Sequence, residues 1–384
     1  MRILIALTYY RPHVSGLSVY AERLARGLAQ RGHQVTVLTS RFHPSLPARE
    51  MVDGVDVVRV PVLTKVSKGV IMPLFPLYAA ALVPRHDVVN IHMPQLEAFV
   101  LALIGRQRRR GVVITYQCDL QLPAGWFNRA VQASLLPLNE VAARAAHAIV
   151  VMTADYARHS VFLSRHASKL REIPALIDSP APDPAATAGL AQIWGLSGRD
   201  RIGFAARFAA EKGVEYLLHA LPRVLEVLPD AHVVFTGAYK YTIGEEAYRR
   251  RLEPLLERHR ERLTFLELLD PGEMPHYFAL CDVLAVTSVN STESFGLVQA
   301  EAMLAGTPVV ATNLPGVREA VQRTGMGLVV PPRDPEALAR ALIEVLTNRG
   351  TYVKPRTVVA ACLDLDRALA QYEQLFNEIA PAAA

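Results

Sequence analysis

Short apolar runs alternate along the first half of the chain with segments whose apolar residues recur at helical spacing. The first helical segment has apolar residues at Leu17, Tyr20, Ala21, Leu24, Ala25 and Leu28. The runs predicted as strands are residues 3–7, 35–38, 55–60, 88–91, 112–116 and 149–152. Strands that alternate with helices form a mostly parallel sheet with helices on both faces. The pattern therefore predicts a doubly wound, Rossmann-like α/β domain.

The alternation stops at residues 178–187, which hold three prolines and no large apolar residue, and which we interpret as a linker. Strand-like runs resume at residues 202–205, 233–236, 263–266, 283–286, 309–311 and 328–330, with a helical segment at 216–228. We predict a first domain over 1–178, a second Rossmann-like domain over 179–356 and a C-terminal helix over 357–384. Two such domains facing each other bind ligands in the cleft outside the carboxyl ends of their strands.

Composition narrows the class of protein without naming a ligand. A chain of 384 residues is long enough for two domains, and a net charge of +5 permits anionic ligands or a membrane surface. Cys118, Cys281 and Cys362 are too scattered for a zinc site or a set of disulfides. The apolar run at 3–7 is too short for a signal peptide. We expect a cytoplasmic protein and no nucleic-acid partner.

Two features bear on contact with a membrane. The uncharged run over residues 70–84 is too short to span a bilayer, so it is either buried under the first domain or inserted shallowly at a membrane interface. A basic cluster follows an apolar helix and comprises Arg106, Arg108, Arg109 and Arg110. It forms either a solvated helix end, favoured by the helix dipole, or a contact with anionic lipid headgroups. A peripheral position at the inner face of the membrane is compatible with both features.

The stretch from Glu293 to Gly306 carries the most candidate chemistry. We predict a helix here that ends at Gly306. The amides that would be unpaired in its first turn are those of Ser294, Phe295, Gly296 and Leu297. Unpaired amides at a helix start bind anions, and Glu301 would lie about two turns in, roughly 9 Å along the axis. Two carboxylates around an anion site suit a nucleotide sugar, whose hydroxyls flank its phosphates.

This stretch has two other interpretations. A glutamate at each end of a surface helix is common, and two carboxyl groups about 5 to 9.5 Å apart would suit a glycosidase. Arg207 and Lys212, which follow the first strand of the second domain, bear on the choice. They are either surface cations near a helix start or a fork and a point charge suited to a diphosphate. The G-x-G-x-x-G pattern is absent, which argues against a dinucleotide oxidoreductase.

Taken together, Arg207, Lys212-Gly213, Glu293 and Glu301 resemble the motifs of the retaining glycosyltransferases of family GT4, which have the GT-B fold. Further similar segments are Pro12 to Gly16, Arg31-Gly32-His33 and residues 306–310. The resemblance covers nearly the whole chain. It implies two Rossmann-like domains that face a cleft, and a C-terminal helix that packs back on the first domain.

The resemblance also implies roles for individual residues. Arg207 and Lys212 would hold the donor diphosphate, and Glu301 would bind the ribose hydroxyls. Glu293 would grip the donor sugar together with the amides of Phe295, Gly296 and Leu297, with Ser294 at the same loop. Gly16 would let the first loop approach the phosphates. We expect the pocket for the nucleotide base around residues 267–269, which include Leu268.

Two departures from the family pattern concern the first domain. The family usually has paired glycines at the first loop, whereas this chain has Ser15-Gly16. Members often carry a histidine after the fifth strand, where this chain has Gln117. A glutamine amide donates and accepts hydrogen bonds but cannot titrate, so Gln117 cannot be a general base. The leaving phosphate could itself take the acceptor proton. We interpret His92, at the end of another strand, as structural.

We therefore predict a retaining glycosyltransferase that moves a hexose from a nucleotide diphosphate sugar to a hydroxyl acceptor such as a lipid-linked or polysaccharide intermediate. A UDP-sugar is favoured over a GDP-sugar by family frequency. A cation pair and an anion site argue against the glycosidase. The alternatives are a GT-B nucleotide-sugar epimerase and a nucleotide-sugar-binding protein weakened in catalysis by Gln117. We predict no cofactor and no metal, and interpret Asp364-Leu365-Asp366 as part of the helical tail.

Overall fold

The computed structural model describes residues 1–66, 69–121, 126–196, 198, 200–239 and 245–381, with only the backbone described over 126–131. The chain divides into two units. The first comprises Met1–Leu176 together with Asp364–Ala384, and the second comprises Ile177–Leu363.

The first unit is an α/β unit. Its strands are β1 (Arg2–Ala6), β2 (Gln34–Arg41), β3 (Arg49–Val52), β4 (Val55–Pro61), β5 (Thr64–Val66), β6 (Gly69–Ile71), β7 (Val88–Met93), β8 (Gly111–Tyr116), β9 (Ala148–Val151) and β10 (Leu170–Glu172). Its helices are α1 (Gly16–Gln30), α2 (Phe75–Leu82), α3 (Ala98–Gln107), α4 (Trp126–Ala145), α5 (Ala154–His159) and α6 (Val161–Ser164), with 3₁₀ turns at Val83–Arg85 and Ala167–Lys169.

Eight of these strands form one sheet in the order β10-β9-β8-β7-β1-β2-β4-β3, and β5 and β6 form a separate antiparallel pair. All pairs in the large sheet are parallel except β3 with β4. The strand order reverses between β1 and β7. In an open α/β sheet, ligands bind beside the carboxyl ends of the strands at such a switch point.

The second unit is also α/β. Its helices are α7 (Pro184–Ile193), α8 (Val214–Val227), α9 (Glu246–Arg258), α10 (Met274–Leu280), α11 (Leu297–Leu304), α12 (Val317–Thr324), α13 (Pro335–Thr347), α14 (Arg349–Tyr352) and α15 (Arg356–Cys362), with 3₁₀ turns at Ala210–Lys212 and Arg260–Arg262. Its strands are β11 (Asp200–Ala205), β12 (Ala231–Thr236), β13 (Leu263–Phe265), β14 (Val283–Val286), β15 (Val309–Thr312) and β16 (Gly327–Val330).

The six strands of the second unit form one parallel sheet in the order β13-β12-β11-β14-β15-β16. This is the doubly wound order 3-2-1-4-5-6, and its switch point lies between β11 and β14. The apolar face of α8 packs against this sheet through Leu217, Leu221 and Val224, which are all buried. The doubly wound α/β class predicted from the sequence is confirmed for both halves of the chain.

The last helix, α16 (Leu365–Ile379), belongs to the first unit, where it packs on α1. Tyr20 and Tyr372 join their hydroxyl groups at 3.0 Å, and the Tyr372 hydroxyl also lies 3.1 Å from Thr115 Oγ1. Gly27 permits the close approach, because a Cβ there would lie 2.6 Å from Leu369 Cδ1.

The unit boundaries differ slightly from the predicted ones. The first division falls after Leu176 rather than after 178, and the second after Leu363 rather than after 356. Helix α15 therefore belongs to the second unit, although we predicted that it begins the C-terminal segment. The reason is that the Arg356 guanidinium donates hydrogen bonds to the carbonyl oxygens of Leu304 and Ser179, which are both in that unit.

The uncharged run over 70–84 is buried on one side only. Val70, Met72, Phe75, Ala79 and Val83 belong to the core of the first unit. Exposed apolar side chains on the same run are Ile71, Leu74 and Leu77, the last of them 67% exposed. Within the described part of the chain, no helix is long and apolar enough to cross a membrane.

Every predicted strand overlaps an observed one, but the apolar pattern missed β3, β5, β6 and β10. These strands have three or four residues each and expose many of them. A short, exposed strand at or beyond a sheet edge carries no apolar run, so its sequence resembles a loop.

Candidate functional site

The loop that follows β11 carries both predicted cations. After Arg207 it tightens into the 3₁₀ turn Ala210–Lys212 and ends at Gly213, whose φ of 63° is left-handed. A Cβ at Gly213 would lie 2.4 Å from the carbonyl oxygen of Thr287, so only glycine fits. The Thr287 hydroxyl donates to the carbonyl oxygens of Lys212 and Gly213 at 2.8 and 3.0 Å. The loop is thus fastened to the end of β14, across the switch point.

The Lys212 ammonium contacts the Glu293 carboxylate directly, in an ion pair between the loops after β11 and β14. The Ser288 hydroxyl donates to the same Glu293 Oε2 at 3.3 Å. Both side chains of the pair are mostly buried. The structure therefore brings together the two residues that we predicted to hold the diphosphate and the sugar.

Arg207 has a different partner. Its guanidinium pairs with the carboxylate of Glu211, one helical turn further along the same loop. We did not predict a role for Glu211, although an acidic residue four positions from an arginine indicates a possible pair. Nor did we predict Glu245, whose carboxylate accepts a hydrogen bond from the Ala210 amide at 3.1 Å and so fixes the loop.

The predicted helix over 293–306 is shorter than expected. Helix α11 begins at Leu297, because Gly296 has a left-handed φ of 78° and caps it. We predicted that the amides of Ser294 and Phe295 belong to the first turn of this helix. That prediction is wrong, because both residues precede the helix. The amides at the start of α11 that our prediction assigns to an anion are therefore those from Leu297 onward, beside the left-handed glycine.

The segment before α11 is held by Gln299, whose side-chain amide donates to the carbonyl oxygens of Phe295 and Val317. Glu301 is the fifth residue of α11 and is 9% exposed. The prediction that one continuous helix of two turns joins Glu293 to Glu301 is wrong, because residues 293–296 are not helical. Both residues belong to the segment that follows β14.

Leu268 lies just beyond β13 and is 60% exposed. The preceding Glu267 is held at the end of β12, since its carbonyl oxygen accepts from the Thr236 hydroxyl at 2.9 Å and from the Gly237 amide at 2.7 Å. A Cβ at Gly237 would lie 2.6 Å from the Ala206 carbonyl oxygen. The Leu268 segment is thereby placed at the same carboxyl edge of the sheet as the Arg207 loop.

In the first unit, Gly16 is the first residue of α1. Ser15 caps this helix, and its hydroxyl and that of Ser18 form a reciprocal capping box. A Cβ at Gly16 would meet no atom within 4 Å, and its φ is not left-handed. Packing within this unit therefore does not require glycine at position 16.

Gln117 follows β8 and is buried against His92, at the end of β7. The Gln117 Nε2 amide donates to His92 Nδ1 at 3.2 Å. Because Nδ1 accepts, the neutral His92 ring carries its proton on Nε2, for which the described residues provide no hydrogen-bond partner. Burial lowers the pKa of His92 to about 3, so the ring stays neutral. With this amide assignment, the Gln117 carbonyl oxygen is directed away from His92.

We interpreted His92 as structural. It is the penultimate residue of β7, one of the two strands at the switch point of the first unit. Glu97, a few residues later, is also buried, and its pKa is raised to about 7 by that burial. The signal that could have marked both residues is their position at or shortly after the carboxyl end of β7, a strand beside β1.

Within the described ranges, no group of three His, Cys, Asp or Glu side chains is placed to hold a metal ion. Asp364 caps α16, where its carboxylate accepts from the Arg367 amide at 3.1 Å, and Asp366 pairs with Arg31 at 2.8 Å. Both aspartates thus have structural contacts in the first unit.

Two family models match the chain. The model described as "Glycosyl transferase 4-like domain" matches residues 15–175, and "Glycosyl transferases group 1" matches residues 199–348. The GDP-mannose-dependent alpha-(1-6)-phosphatidylinositol monomannoside mannosyltransferase of Mycobacterium tuberculosis is 28% identical over 373 residues, which cover 92% of this chain and 91% of that protein. The chain is a GT4-type glycosyltransferase.

Solved structures share the fold of this glycosyltransferase. The sucrose-phosphate synthase of Thermosynechococcus elongatus superposes with a TM-score of 0.80 at 24% identity, over 98% of each chain. The Anabaena protein HepE, solved in complex with UDP and glucose, gives a TM-score of 0.77 at 21% identity, over 98% of this chain and 100% of that one. The GT-B fold that the resemblance implied is confirmed.

Proposed function

We propose that this glycosyltransferase moves a hexose, with retention of anomeric configuration, from a UDP- or GDP-sugar to a hydroxyl of a lipid-linked or polysaccharide acceptor. The main support for this proposal is one contact in the second unit. The Lys212 ammonium and the Glu293 carboxylate meet at the switch point of the second sheet, in the segment that leads into the N-terminus of α11. A cation and helix amides suit a diphosphate, and a carboxylate suits sugar hydroxyls.

In the proposed reaction, the bond between the sugar anomeric carbon and the β-phosphate oxygen breaks, and its electron pair stays on that oxygen. The acceptor oxygen forms a bond to the same carbon, and the acceptor proton passes to the leaving phosphate. Lys212, Arg207 and the α11 amides stabilise the negative charge that develops on the diphosphate. No titrating side chain is required for this step, so Gln117 can orient a hydroxyl without acting as a base.

Arg207 and Lys212 already have carboxylate partners, Glu211 and Glu293. A bound diphosphate would compete for both cations. Displacing Glu293 from Lys212 would free its carboxylate to accept hydrogen bonds from the donor sugar. In this proposal, binding of the donor diphosphate itself makes the Glu293 carboxylate available to the donor sugar.

Two observations support the choice of donor and acceptor. The mycobacterial relative is named for GDP-mannose, whereas HepE was solved with UDP. Guanosine and uridine donors should therefore both be assayed. The relative is also named for a phosphatidylinositol monomannoside acceptor. A lipid-linked acceptor agrees with the exposed Leu74 and Leu77 on the first unit and with its basic cluster of arginines.

The decisive experiment incubates the purified protein with UDP- and GDP-linked hexoses and measures slow release of the nucleoside diphosphate. We expect release from one donor class, which also names the base and the sugar. Isomerisation of the donor without release would instead identify an epimerase. Binding without either reaction would identify a nucleotide-sugar-binding protein, and would contradict the proposed transfer.

Membrane contact needs its own assay. The protein is sedimented with liposomes that contain anionic lipid, and compared with a variant in which Arg106, Arg108, Arg109 and Arg110 are all changed to Glu. We expect the variant to lose co-sedimentation. Unchanged sedimentation of the variant would remove the proposed peripheral position at the cytoplasmic face of a membrane.

A further inference from the structure

A pocket of about 340 Å³ opens on the first unit and is lined by Arg106, Arg109, Arg110, His147 and Ile379. It lies where α3 and α4 end and where β8 and β9 begin. Parallel strands begin at one edge of a sheet and end at the other, so this pocket lies at the opposite edge from Gln117, which follows β8. It is separate from the residues discussed for the transfer reaction.

Two hydrogen-bond donors face each other in this pocket. The Val112 amide donates to His147 Nδ1 at 3.0 Å. A backbone amide can only donate, so Nδ1 accepts, and the neutral ring must carry its proton on Nε2. That Nε2 lies 2.5 Å from the Arg106 guanidinium Nη1, which also can only donate. Two N–H groups therefore meet at this contact with no acceptor among the described residues, and an anionic oxygen bound beside both would accept from each.

Two neighbouring cations, Lys169 and Arg110, donate hydrogen bonds to nearby carbonyl oxygens, and these contacts explain why a cation is present at each position. The Lys169 ammonium donates to the carbonyl oxygens of Ala143, Arg144 and Ala146, which end α4. Arg110 donates to the Pro84 carbonyl oxygen at 2.7 Å. Capping of α4 therefore accounts for Lys169, and the Pro84 carbonyl oxygen together with the Asp87 carboxylate, 4.0 Å away, gives Arg110 local partners.

No such contact accounts for Arg106 and Arg109. Within the described residues, the Arg106 guanidinium has only His147 as a hydrogen-bond neighbour, and the Arg109 guanidinium has no hydrogen bond or ion pair. The pKa of the Lys169 ammonium is lowered, first by burial and then by the Arg106 charge. The pocket is thus a region of crowded positive charge with donors that converge.

We propose that Arg106, Arg109 and His147 form a binding site for a phosphate group. The group is either free phosphate or the phosphate of a lipid headgroup, since both present the same oxygens to the same donors. Leu103, one helical turn before Arg106 and its neighbour on α3, is 48% exposed. An apolar side chain beside a phosphate site suits a headgroup at the surface of a bilayer.

This phosphate site specifies which arginines of the basic cluster would bind a headgroup in the membrane contact proposed above. It does not depend on the transferase activity. Failure of the nucleotide-sugar assay would leave it standing, and failure of the phosphate assay would leave the transfer reaction standing.

The experiment measures binding of inorganic phosphate by isothermal titration to the full-length protein and to three variants, Arg106→Gln, Arg109→Gln and Arg108→Gln. Arg108 is the matched control, because it is an exposed arginine of the same cluster that does not line the pocket. We expect phosphate affinity to fall by about tenfold or more in the first two variants, since each loses a charged hydrogen bond. Arg108→Gln should change it by less than about twofold. Circular dichroism and the release of nucleoside diphosphate should be the same in all four proteins.

Vesicles then distinguish the two sources of phosphate. The protein is sedimented with vesicles of phosphatidylcholine alone, or with added phosphatidylglycerol, in the presence and absence of free phosphate. Binding to the anionic vesicles that free phosphate reverses, and that Arg109→Gln weakens more than Arg108→Gln, assigns the site to a headgroup. Saturable phosphate binding without this pattern assigns it to free phosphate.

Two results would overturn the proposal. One is the absence of saturable phosphate binding to the unmodified protein. The other is equal weakening by Arg108→Gln and Arg109→Gln, which would mean that only the total charge of the cluster matters.

Discussion

Lys212 and Glu293 form an ion pair although 81 positions separate them in the chain. The contact joins the loop after β11 to the loop after β14, the two strands on either side of the switch point. Thr287 and Ser288, at the end of β14, hold the two partners from the same side. The topology of the sheet therefore positions the pair. Substitution of either partner tests the proposed site directly.

Replacement of Lys212 by alanine should lower turnover more than donor affinity. The ammonium faces a charge that grows as the diphosphate leaves, and loss of one preorganised donor of this kind costs about 100-fold or more in kcat. Steady-state release of nucleoside diphosphate gives kcat and KM separately. Lys212→Arg serves as control and should retain part of the rate. A variant with unchanged kcat and a raised KM would place Lys212 in ground-state binding only.

Removal of divalent metal ions should leave the rate unchanged. In the proposed reaction, Arg207, Lys212 and the N-terminal amides of α11 supply the positive charge that a metal ion supplies in other transferases. The assay compares release of nucleoside diphosphate after dialysis against EDTA with release after addition of manganese or magnesium. A protein that stays inert until metal is added would contradict the proposed role of these cations.

Glu301→Ala should weaken binding of the nucleoside diphosphate by about 1–3 kcal/mol, because hydrogen bonds from the ribose hydroxyls to a carboxylate are lost. Isothermal titration with the ribonucleotide and its 2′-deoxy and 3′-deoxy analogues makes the test specific. The unmodified protein should prefer the ribonucleotide, and the variant should lose that preference. If the variant binds all three more weakly but keeps the preference, Glu301 acts on the fold and not on the ribose.

His92 should make the first unit sensitive to acid. Its pKa is about 3 in the folded protein and ordinarily about 6.5. Between these values the unfolded chain binds one more proton at this residue than the folded chain, so falling pH favours unfolding, whereas above pH ~6.5 the residue has no effect. Its contribution to the free energy of unfolding should fall by about 1.4 kcal/mol per pH unit below that point.

Urea titrations of the unmodified protein and of His92→Gln at several pH values between 7 and 4.5 measure this contribution. The difference in free energy of unfolding between the two proteins should shrink as the pH falls, because only the unmodified protein buries a titrating ring. Parallel curves over this range would show that His92 is protonated in the folded state or that it titrates in neither state.

The apolar pattern predicted the central strands because buried parallel strands are continuous runs of large aliphatic residues, such as Val283–Val286. The same rule could not predict where α11 begins. Leu297 follows a glycine that adopts φ 78°, and a glycine within a helical pattern is compatible with either a break or a continuation. Only the fold decides, through the hydrogen bonds from Gln299 to Phe295 and Val317.

Motif spacing placed Lys212 and Glu293 in one site but could not reveal their pairing or that of Arg207 with Glu211. Ion pairs depend on side-chain rotamers and on the relative positions of two loops, and the spacing of a motif predicts neither. The contact between His92 and Gln117 could not be predicted for a related reason. Gln117 follows β8, the parallel neighbour of β7, and parallel neighbours are far apart in sequence.

Helix α16 makes the first unit depend on residues that are synthesised after the whole of the second unit. The second unit is continuous in sequence, so a ribosome has delivered all of it before Tyr372 emerges to join Tyr20 and Thr115. Until then, the face of α1 that carries Gly27 has no cover from Leu369. A message cut short before the codons of α16 therefore yields a chain that holds the whole second unit but lacks the helix that packs on α1 in the first.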